Sequence, residues 1–199
     1  MTSDDVEAMV NVHQAAFPGF FLSLLGPRFL WLFYRSFLED FDGIGLVASN
    51  DDGSVLGSVV GPFRPEEYFK RLLKRRWWNF FWASLPATVK KPGITCRLFR
   101  ALWYRGQSPA RSQIPQALMS SVSVAPEFQG SGIGQALIRS WLTEVKRRGG
   151  QAAYLTTDAE NNSAVNFFYQ RLGWRLESSF TGAKKRRMNR YFYDLRELF

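Results

Sequence analysis

The feature that most constrains the fold of this 199-residue chain is a strand, a glycine-rich turn and a helix in immediate succession. Residues 118–124 alternate as in a strand, and Pro126 ends it. Gly130, Gly132 and Gly134 follow, and residues 135–148 then place their large apolar side chains on one helical face. Such a unit directs free backbone N–H groups and the positive end of a helix dipole at one point. It therefore predicts a site for an anion, above all phosphate.

The spacing of the glycines separates the known phosphate-binding turns. A P-loop ends in Gly-Lys-Ser/Thr, but Gln135 follows the last glycine here. A dinucleotide fingerprint, G-x-G-x-x-G, would need its third glycine at Gln135 or Leu137 and would open the fold, whereas about 120 residues precede it. A structural turn, with glycines used only for clearance, is the alternative to an anion site.

Two further patterns agree with a third kind of phosphate site. Residues 129–134, Gln-Gly-Ser-Gly-Ile-Gly, fit Gln/Arg-x-x-Gly-x-Gly/Ala, and the sequence here resembles the GNAT acetyltransferase superfamily, whose motif wraps the pyrophosphate of coenzyme A. Residues 162–174, Asn-Ser-Ala-Val-Asn-Phe-Phe-Tyr-Gln-Arg-Leu-Gly-Trp, resemble the other block of that family, except that Val165 replaces Ala and Trp174 replaces Phe or Tyr. The interval between the two blocks has room for one helix and one strand.

The resemblance implies acetyl-CoA as cosubstrate and assigns roles to residues of both blocks. Backbone groups of the preceding strand, which carries a bulge in the family, would bind pantetheine and the thioester carbonyl; they fall on Val122, Ser123 and Val124. The pyrophosphate would lie on Gln129, Gly130, Ser131, Gly132, Ile133, Gly134 and Gln135. Tyr169 would protonate the leaving thiolate, with a core tyrosine as the alternative. Asn162 would be a cofactor ligand or an ordinary helix cap.

The residues do not settle which group deprotonates the acceptor amine. Asp158 follows a predicted strand and is our catalytic candidate, although its surroundings are also good loop chemistry. His13, the only histidine, lies on the apolar side of the first helix, where a packed core residue is the commoner finding. Glu66, Glu67 and bulk water stay open. Because no Cys/His cluster has ligand spacing, we predict no metal.

The remaining pattern extends the same architecture to the whole chain. The predicted order is two helices, a hairpin turning at residues 50–53, an insertion, a strand, the glycine turn, and then helix, strand, helix and two strands. With the resemblance, this implies an α/β (α+β) fold: a mixed, mostly antiparallel sheet flanked by helices. We expect one domain over residues 1–199, with an insertion at 62–115 before the cofactor-binding strand. A family strand that precedes the first helix is short or absent from this sequence.

The predicted insertion carries nearly all of the excess positive charge. Residues 62–111 contain 12 of the 26 Lys and Arg residues, 2 of the 17 Asp and Glu residues, and four of the seven tryptophans. Three partners fit such a segment: an anionic membrane surface, a phosphate-bearing acceptor, and nucleic acid, which ranks last because no binding motif accompanies the charge. A helical cap with solvated charges is the alternative to all three.

The overall prediction is an acetyl-CoA-dependent N-acetyltransferase whose acceptor is a primary amine. The preferred acceptor is an amino sugar on a nucleotide or lipid carrier; a protein amine stays open, and a dimer is one of the oligomeric states left open. A non-catalytic acyl-CoA-binding sensor or membrane adaptor is the second hypothesis. We see no signal peptide and no membrane-spanning run, and one cysteine excludes an internal disulfide. These features predict a cytoplasmic protein, with peripheral contact at the inner face of the membrane as the variant.

Overall fold

The computed structural model describes residues 1–90, 116–182 and 186–197. Its helices are α1 (Asp5–Ala16), α2 (Phe21–Leu24), α3 (Pro27–Glu39), α4 (Pro65–Lys90), α5 (Ile133–Arg147) and α6 (Ser163–Arg171). Its strands are β1 (Gly43–Ser49), β2 (Val55–Pro62), β3 (Gln116–Leu118), β4 (Ser121–Val124), β5 (Ala152–Asp158), β6 (Arg175–Thr181) and β7 (Arg187–Asp194). The order of elements agrees with the sequence prediction, with α2 as an addition.

The strands form two sheets, and one continuous segment of the chain contributes a strand to each of them. One has the order β1-β2-β4, and the other has the order β3-β5-β7-β6. Only β3 and β5 pair in parallel among the described strands. Residues 116–124 therefore begin in one sheet and end in the other, so β4 and the end of β5 diverge. This confirms the predicted mixed, mostly antiparallel sheet.

The change of partner occurs at two adjacent residues. Met119 donates a backbone hydrogen bond to Tyr154 O of β5 at 2.9 Å, and Ser120 donates one to Val60 O of β2 at 2.9 Å. Since Ser121 is also the register partner of Val60, two residues oppose one, which is a β-bulge. A cleft therefore opens between β4 and β5 beyond Met119.

Helices cover both faces of the sheets, because neighbouring strand residues point to opposite faces. Helices α1 to α4 pack on a core that includes Val60, Leu118 and Tyr154. Helix α5 and the partly buried side of α6 pack on a second core that includes Val59, Ala117 and Ala153. We call these the first layer and the second layer.

Several boundaries differ from the sequence prediction. The strand predicted at 118–124 is interrupted by the bulge. Residues 68–81 have a helix-like pattern in the sequence, and Pro86 is expected to break it, but α4 continues through that proline to Lys90. Pro86 is exposed, so water can reach the carbonyl group that loses its intrahelical donor. The sequence also predicts breaks at Pro92 and Pro109, which lie outside the described residues.

Candidate active site

The glycine turn holds its backbone open toward solvent. A short 3₁₀ turn, Pro126–Phe128, leads into it, and Gly130 and Gly132 have φ angles of 82° and 90°. Gly132 occupies the N-cap position of α5, so no side-chain hydrogen bond caps this helix. The first bond of this helix runs from Ala136 N to Gly132 O at 3.0 Å. The N–H groups of residues 133–135 therefore lack intrahelical acceptors and can receive an anion.

The exposed edge of β4 borders this turn. Ala125 donates to Leu56 O of β2 at 2.9 Å, and backbone groups alternate along a strand. By that alternation Ser123 faces β2, whereas the N–H and C=O groups of Val122 and Val124 face the cleft. Gln129 Nε2 donates to Val124 O at 3.1 Å and so ties the turn to this edge.

The two sequence blocks meet at this point in space. A Cβ added to Gly134 would lie 3.5 Å from Val124 Cγ2 and 3.8 Å from Phe168 Cζ, so β4, the glycine turn and α6 are in contact. Tyr169, the next residue along α6, packs its ring 6.1 Å from those of Trp174 and Tyr191. The structure thus brings the predicted cofactor turn and the predicted acid into one region.

The Tyr169 hydroxyl has no hydrogen-bond partner within the described part of the chain, and burial raises the pKa of Tyr169 to about 12. A phenol with this pKa stays protonated throughout the neutral range, so the proton is present for donation, and the raised pKa at the same time makes the group a weaker acid than an ordinary tyrosine. These properties are compatible with the predicted acid.

The side chain of Asn162 is used differently from a helix cap. It makes no capping hydrogen bond to α6. Its Nδ2 instead donates to Thr157 Oγ1 at 2.8 Å and to Asp158 O at 3.2 Å. Asn166 Nδ2 also donates to Asp158 O, at 2.9 Å, so the two amides fasten α6 to the end of β5. The capping alternative is therefore not realised in this structure.

The carboxylate of Asp158 is held by Arg186. Arg186 Nε donates to Asp158 Oδ1 at 3.0 Å, and its Nη2 contacts Oδ2. This ion pair fixes the carboxylate against a cation instead of leaving it free for an acceptor amine. The geometry does not favour Asp158 as the general base, and no sequence spacing indicates that Arg186 is its partner.

A buried polar cluster lies on the other face of β4. His13 Nδ1 and the Tyr34 hydroxyl are 2.7 Å apart, and Ser121 Oγ lies 3.5 Å from both. Ser58 Oγ and Ser123 Oγ are 3.0 Å apart in the same region. The side chains of Ser121 and Ser123, which alternate along β4 and could have lined the cleft, therefore bond into the first layer, and Ser123 is buried there. Tyr34 was missed in the sequence because it occurs within an ordinary apolar helix pattern.

Burial makes His13 a weak proton acceptor. It lowers the pKa of His13 to about 4, so the imidazole is neutral at pH 7. A group this weakly basic is poorly matched to an amine, whose own pKa is several units higher. The cluster is better suited to fixing β4 than to accepting the proton of the acceptor.

The family model of the acetyltransferase (GNAT) domain matches residues 96–176 of this chain. Over these residues the chain is similar to the GNAT acetyltransferase domain. Residues 96–115 of the match lie outside the described residues. The rest of it covers the bulged strand, the glycine turn and α6, which confirms the family resemblance. Enzymes of this family are acyltransferases that use acetyl-CoA.

Curated sequences similar to this chain include two acetyltransferases. It is 47% identical over 53 residues to a mycothiol acetyltransferase of Pseudarthrobacter chlorophenolicus, a match that covers 27% of this chain and 16% of that protein. It is 23% identical over 133 residues to N-alpha-acetyltransferase 30 of Schizosaccharomyces pombe, covering 67% of this chain and 77% of that protein. The first relative is thus matched over only a small part of its length.

A solved structure shares the fold over nearly the whole of this chain. It belongs to a protein from Desulfovibrio desulfuricans assigned to the GNAT acetyltransferase family. The TM-score is 0.61 at 14% identity, and the alignment covers 96% of this chain and 93% of that one. At this identity the likeness establishes the fold.

Proposed function

We propose that the protein is a single catalytic domain, with an insertion at residues 62–115, that transfers an acetyl group from acetyl-CoA to a primary amine. One observation carries this proposal: the cleft-facing edge of β4 runs directly into a helix N-terminus with open N–H groups. An extended strand edge suits the amide-bearing pantetheine arm, and the helix N-terminus suits the pyrophosphate. The similarity of residues 96–176 to the GNAT acetyltransferase domain supports the same cosubstrate.

The residues around the cleft would divide the work as follows. Backbone N–H groups at Val122 and Val124 would stabilise negative charge that develops on the thioester carbonyl oxygen. Tyr169 would donate its phenolic proton to the departing sulfur and recover one from solvent. Deprotonation of the amine is assigned to water in the cleft, because His13 is too weakly basic and Asp158 is ion-paired.

We further propose that the acceptor is an amino sugar on a nucleotide or lipid carrier, acted on beside an anionic membrane. The exposed cations of α4 support a phosphate-bearing acceptor, because they would repel a polyamine. A protein amine is the second candidate, supported by the similarity to an N-alpha-acetyltransferase. Incubation with acetyl-CoA and matched panels of nucleotide-linked amino sugars and N-terminal peptides would decide between the two.

Binding of the cosubstrate is tested first by calorimetric titration with acetyl-CoA, with dephospho-CoA and NADH as comparisons. We expect stoichiometric, micromolar binding of acetyl-CoA and no heat from NADH. No binding of acetyl-CoA would overturn the proposal and leave the glycine turn with a structural role alone.

Replacing Tyr169 by Phe tests the acid. We expect kcat to fall by about 10²- to 10⁴-fold, the usual contribution of a positioned acid, with the Kd for acetyl-CoA unchanged. Since the pKa of Tyr169 is about 12, the rate of the wild-type protein should rise with pH along the titration of the acceptor amine and show no fall below about pH 11.

Tyr191→Phe is the matched control for this variant. Its ring is a neighbour of Tyr169, and its hydroxyl donates to Asn166 Oδ1 at 2.9 Å. We expect lower stability but a kcat within a few-fold of wild type. Equal kcat in wild type and Tyr169→Phe would remove the acid role. Acetyl-CoA binding without turnover on any amine would favour the non-catalytic sensor.

A further inference from the structure

Helix α4 presents a solvent-facing surface made of cations and indoles, which we call the outer face. Lys70, Lys74, Trp78 and Trp82 follow one another at intervals of four residues and therefore lie along one side of the helix. Trp78 is 53% exposed and Trp82 is 61% exposed. Trp77 is also exposed and stacks on Trp78 with ring centroids 3.8 Å apart. Tryptophan is rarely left this open to water.

The opposite side of α4 is fixed to α3, so the exposure of the outer face does not come from a loosely placed helix. Tyr68 is buried, stacks on Phe37 at 5.1 Å and shares a 2.6 Å hydrogen bond with Ser36. Further along, the ring of Phe80 packs 5.1 Å from that of Phe29. These contacts orient the indoles outward.

Ion pairs with carboxylates neutralise some of the cations of α4, and the cations that remain unpaired lie on the outer face. Arg71 Nη2 contacts Asp40 at 2.7 Å and Asp42 at 2.6 Å, and Arg76 Nη2 contacts Glu39 at 2.5 Å. Lys70, Lys74 and Arg75 are exposed and have no carboxylate within 4.0 Å among the residues described. The free charge therefore stands beside the free indoles.

This combination has a specific physical match. Indole rings favour the boundary between water and hydrocarbon, and Lys and Arg side chains are attracted to an anionic leaflet. Within the described residues no helix is long and apolar enough to cross a bilayer. We propose that the outer face of α4 binds the surface of an anionic lipid bilayer, with its lysines at the headgroups and its indoles in the interfacial region.

The distribution along α4 also predicts an orientation. On the outer face Lys70 and Lys74 come first and Trp78 and Trp82 follow them. The part of the helix that carries Trp82 would therefore lie deeper in the interface than the part that carries Lys70. The consequence for catalysis, an acceptor delivered at the membrane, rests on the proposed function. The membrane contact itself does not depend on acetyl transfer.

The test is sedimentation of the full chain with vesicles of phosphatidylglycerol and phosphatidylcholine, compared with phosphatidylcholine alone. We expect binding to the anionic vesicles, with a blue shift of tryptophan emission. Lys70→Glu/Lys74→Glu and Trp78→Ser/Trp82→Ser should each weaken binding at least tenfold, because each removes more than about 1.4 kcal/mol of attraction. Brominated lipid should quench the emission of Trp78 and Trp82.

Matched controls lie in the second layer. Phe167 on α6 is 61% exposed, as Trp82 is, so Phe167→Ser removes an equally open aromatic side chain; Arg139→Glu on α5 reverses an exposed charge. Neither should change vesicle binding. Absence of wild-type binding, or an equal loss in the controls, would overturn the inference, as would RNA or a second copy of the chain binding in place of vesicles through the same four residues.

Calorimetry separates this inference from the proposed function. The α4 variants should bind acetyl-CoA as the wild-type protein does, because their side chains point away from the cleft-side elements and into solvent. Retained acetyl-CoA binding without vesicle binding would reject the membrane contact alone. Vesicle binding without acetyl-CoA binding would reject the proposed function alone.

Discussion

The two helical layers differ in where they place polar and aromatic side chains. In the second layer Trp141 of α5 is completely buried, and the outward side of that helix is polar or charged. In the first layer the arrangement is partly reversed: His13 is buried, and the tryptophans of α4 face solvent. A helix that only needs to fold follows the pattern of α5. The comparison indicates that the outer face of α4 serves something besides stability.

The largest expected effect is a difference in unfolding free energy between two variants. One loses a buried tryptophan and the other an exposed one. Trp141→Ala should cost about 3–5 kcal/mol of unfolding free energy, because it leaves a cavity in the second core. Trp82→Ala should change stability by no more than about 0.5 kcal/mol. Urea unfolding of both variants measures the difference. If Trp82→Ala were as destabilising as Trp141→Ala, its side chain would belong to a core and the contrast would fail.

The next effect concerns the buried histidine of the first layer. The folded pKa of His13, about 4, lies below its ordinary value of 6.5, so on acidification the unfolded chain takes up the proton first. The contribution is present above pH 6.5 and is lost as the pH falls toward 4. Between pH 7 and pH 5 this should remove about 2 kcal/mol of stability.

His13→Gln keeps a polar side chain but abolishes this titration. The wild-type protein should therefore lose about 2 kcal/mol more than the variant between pH 7 and pH 5, as measured by urea unfolding at each pH. Parallel pH dependence in the two proteins would show that His13 is protonated as easily when folded as when unfolded.

A substitution in the glycine turn should have the smallest effect on stability. It should also have a specific effect on the binding of acetyl-CoA. Gly132→Ala places a side chain at φ 90°, which should cost about 1–2 kcal/mol. Gly53→Ala in the β1–β2 hairpin, at φ 84°, is the control with the same strain. Only Gly132→Ala should also weaken acetyl-CoA binding, by at least tenfold in calorimetry. Equal Kd values for the two variants would separate the turn from the cosubstrate.

The sequence predicted the parts of this protein whose signals are local. Residues only a few positions apart in the sequence are enough to indicate three features. They are the hairpin at residues 50–53, the glycine-rich N-terminus of α5 and the block around Tyr169. The contacts that decide what the side chains of Asp158 and Ser121 can do are long-range in sequence. Asp158 meets Arg186 across 28 positions, and Ser121 meets His13 across 108, so no spacing could indicate them.

The same limit explains the insertion. Its charge excess is visible in the composition, but the division between paired and free cations depends on carboxylates of α3 and of the loop that follows it. The aromatic residues of α4 also have no clean periodicity, since they occur on both sides of the helix. Only packing against α3 shows which rings are buried and which are exposed.

Residues 116–124, which contribute a strand to each sheet, determine where the cleft between the sheets begins. Met119 is hydrogen-bonded to β5 and Ser120 to β2, so two successive peptide groups determine the angle at which the two sheets part. At this point the two sheets cannot part further without breaking one of these bonds. If the proposed function holds, the nearest route to a longer acyl chain is therefore through smaller side chains on the cleft walls. Acyl-length selectivity in this protein should accordingly be altered by single substitutions.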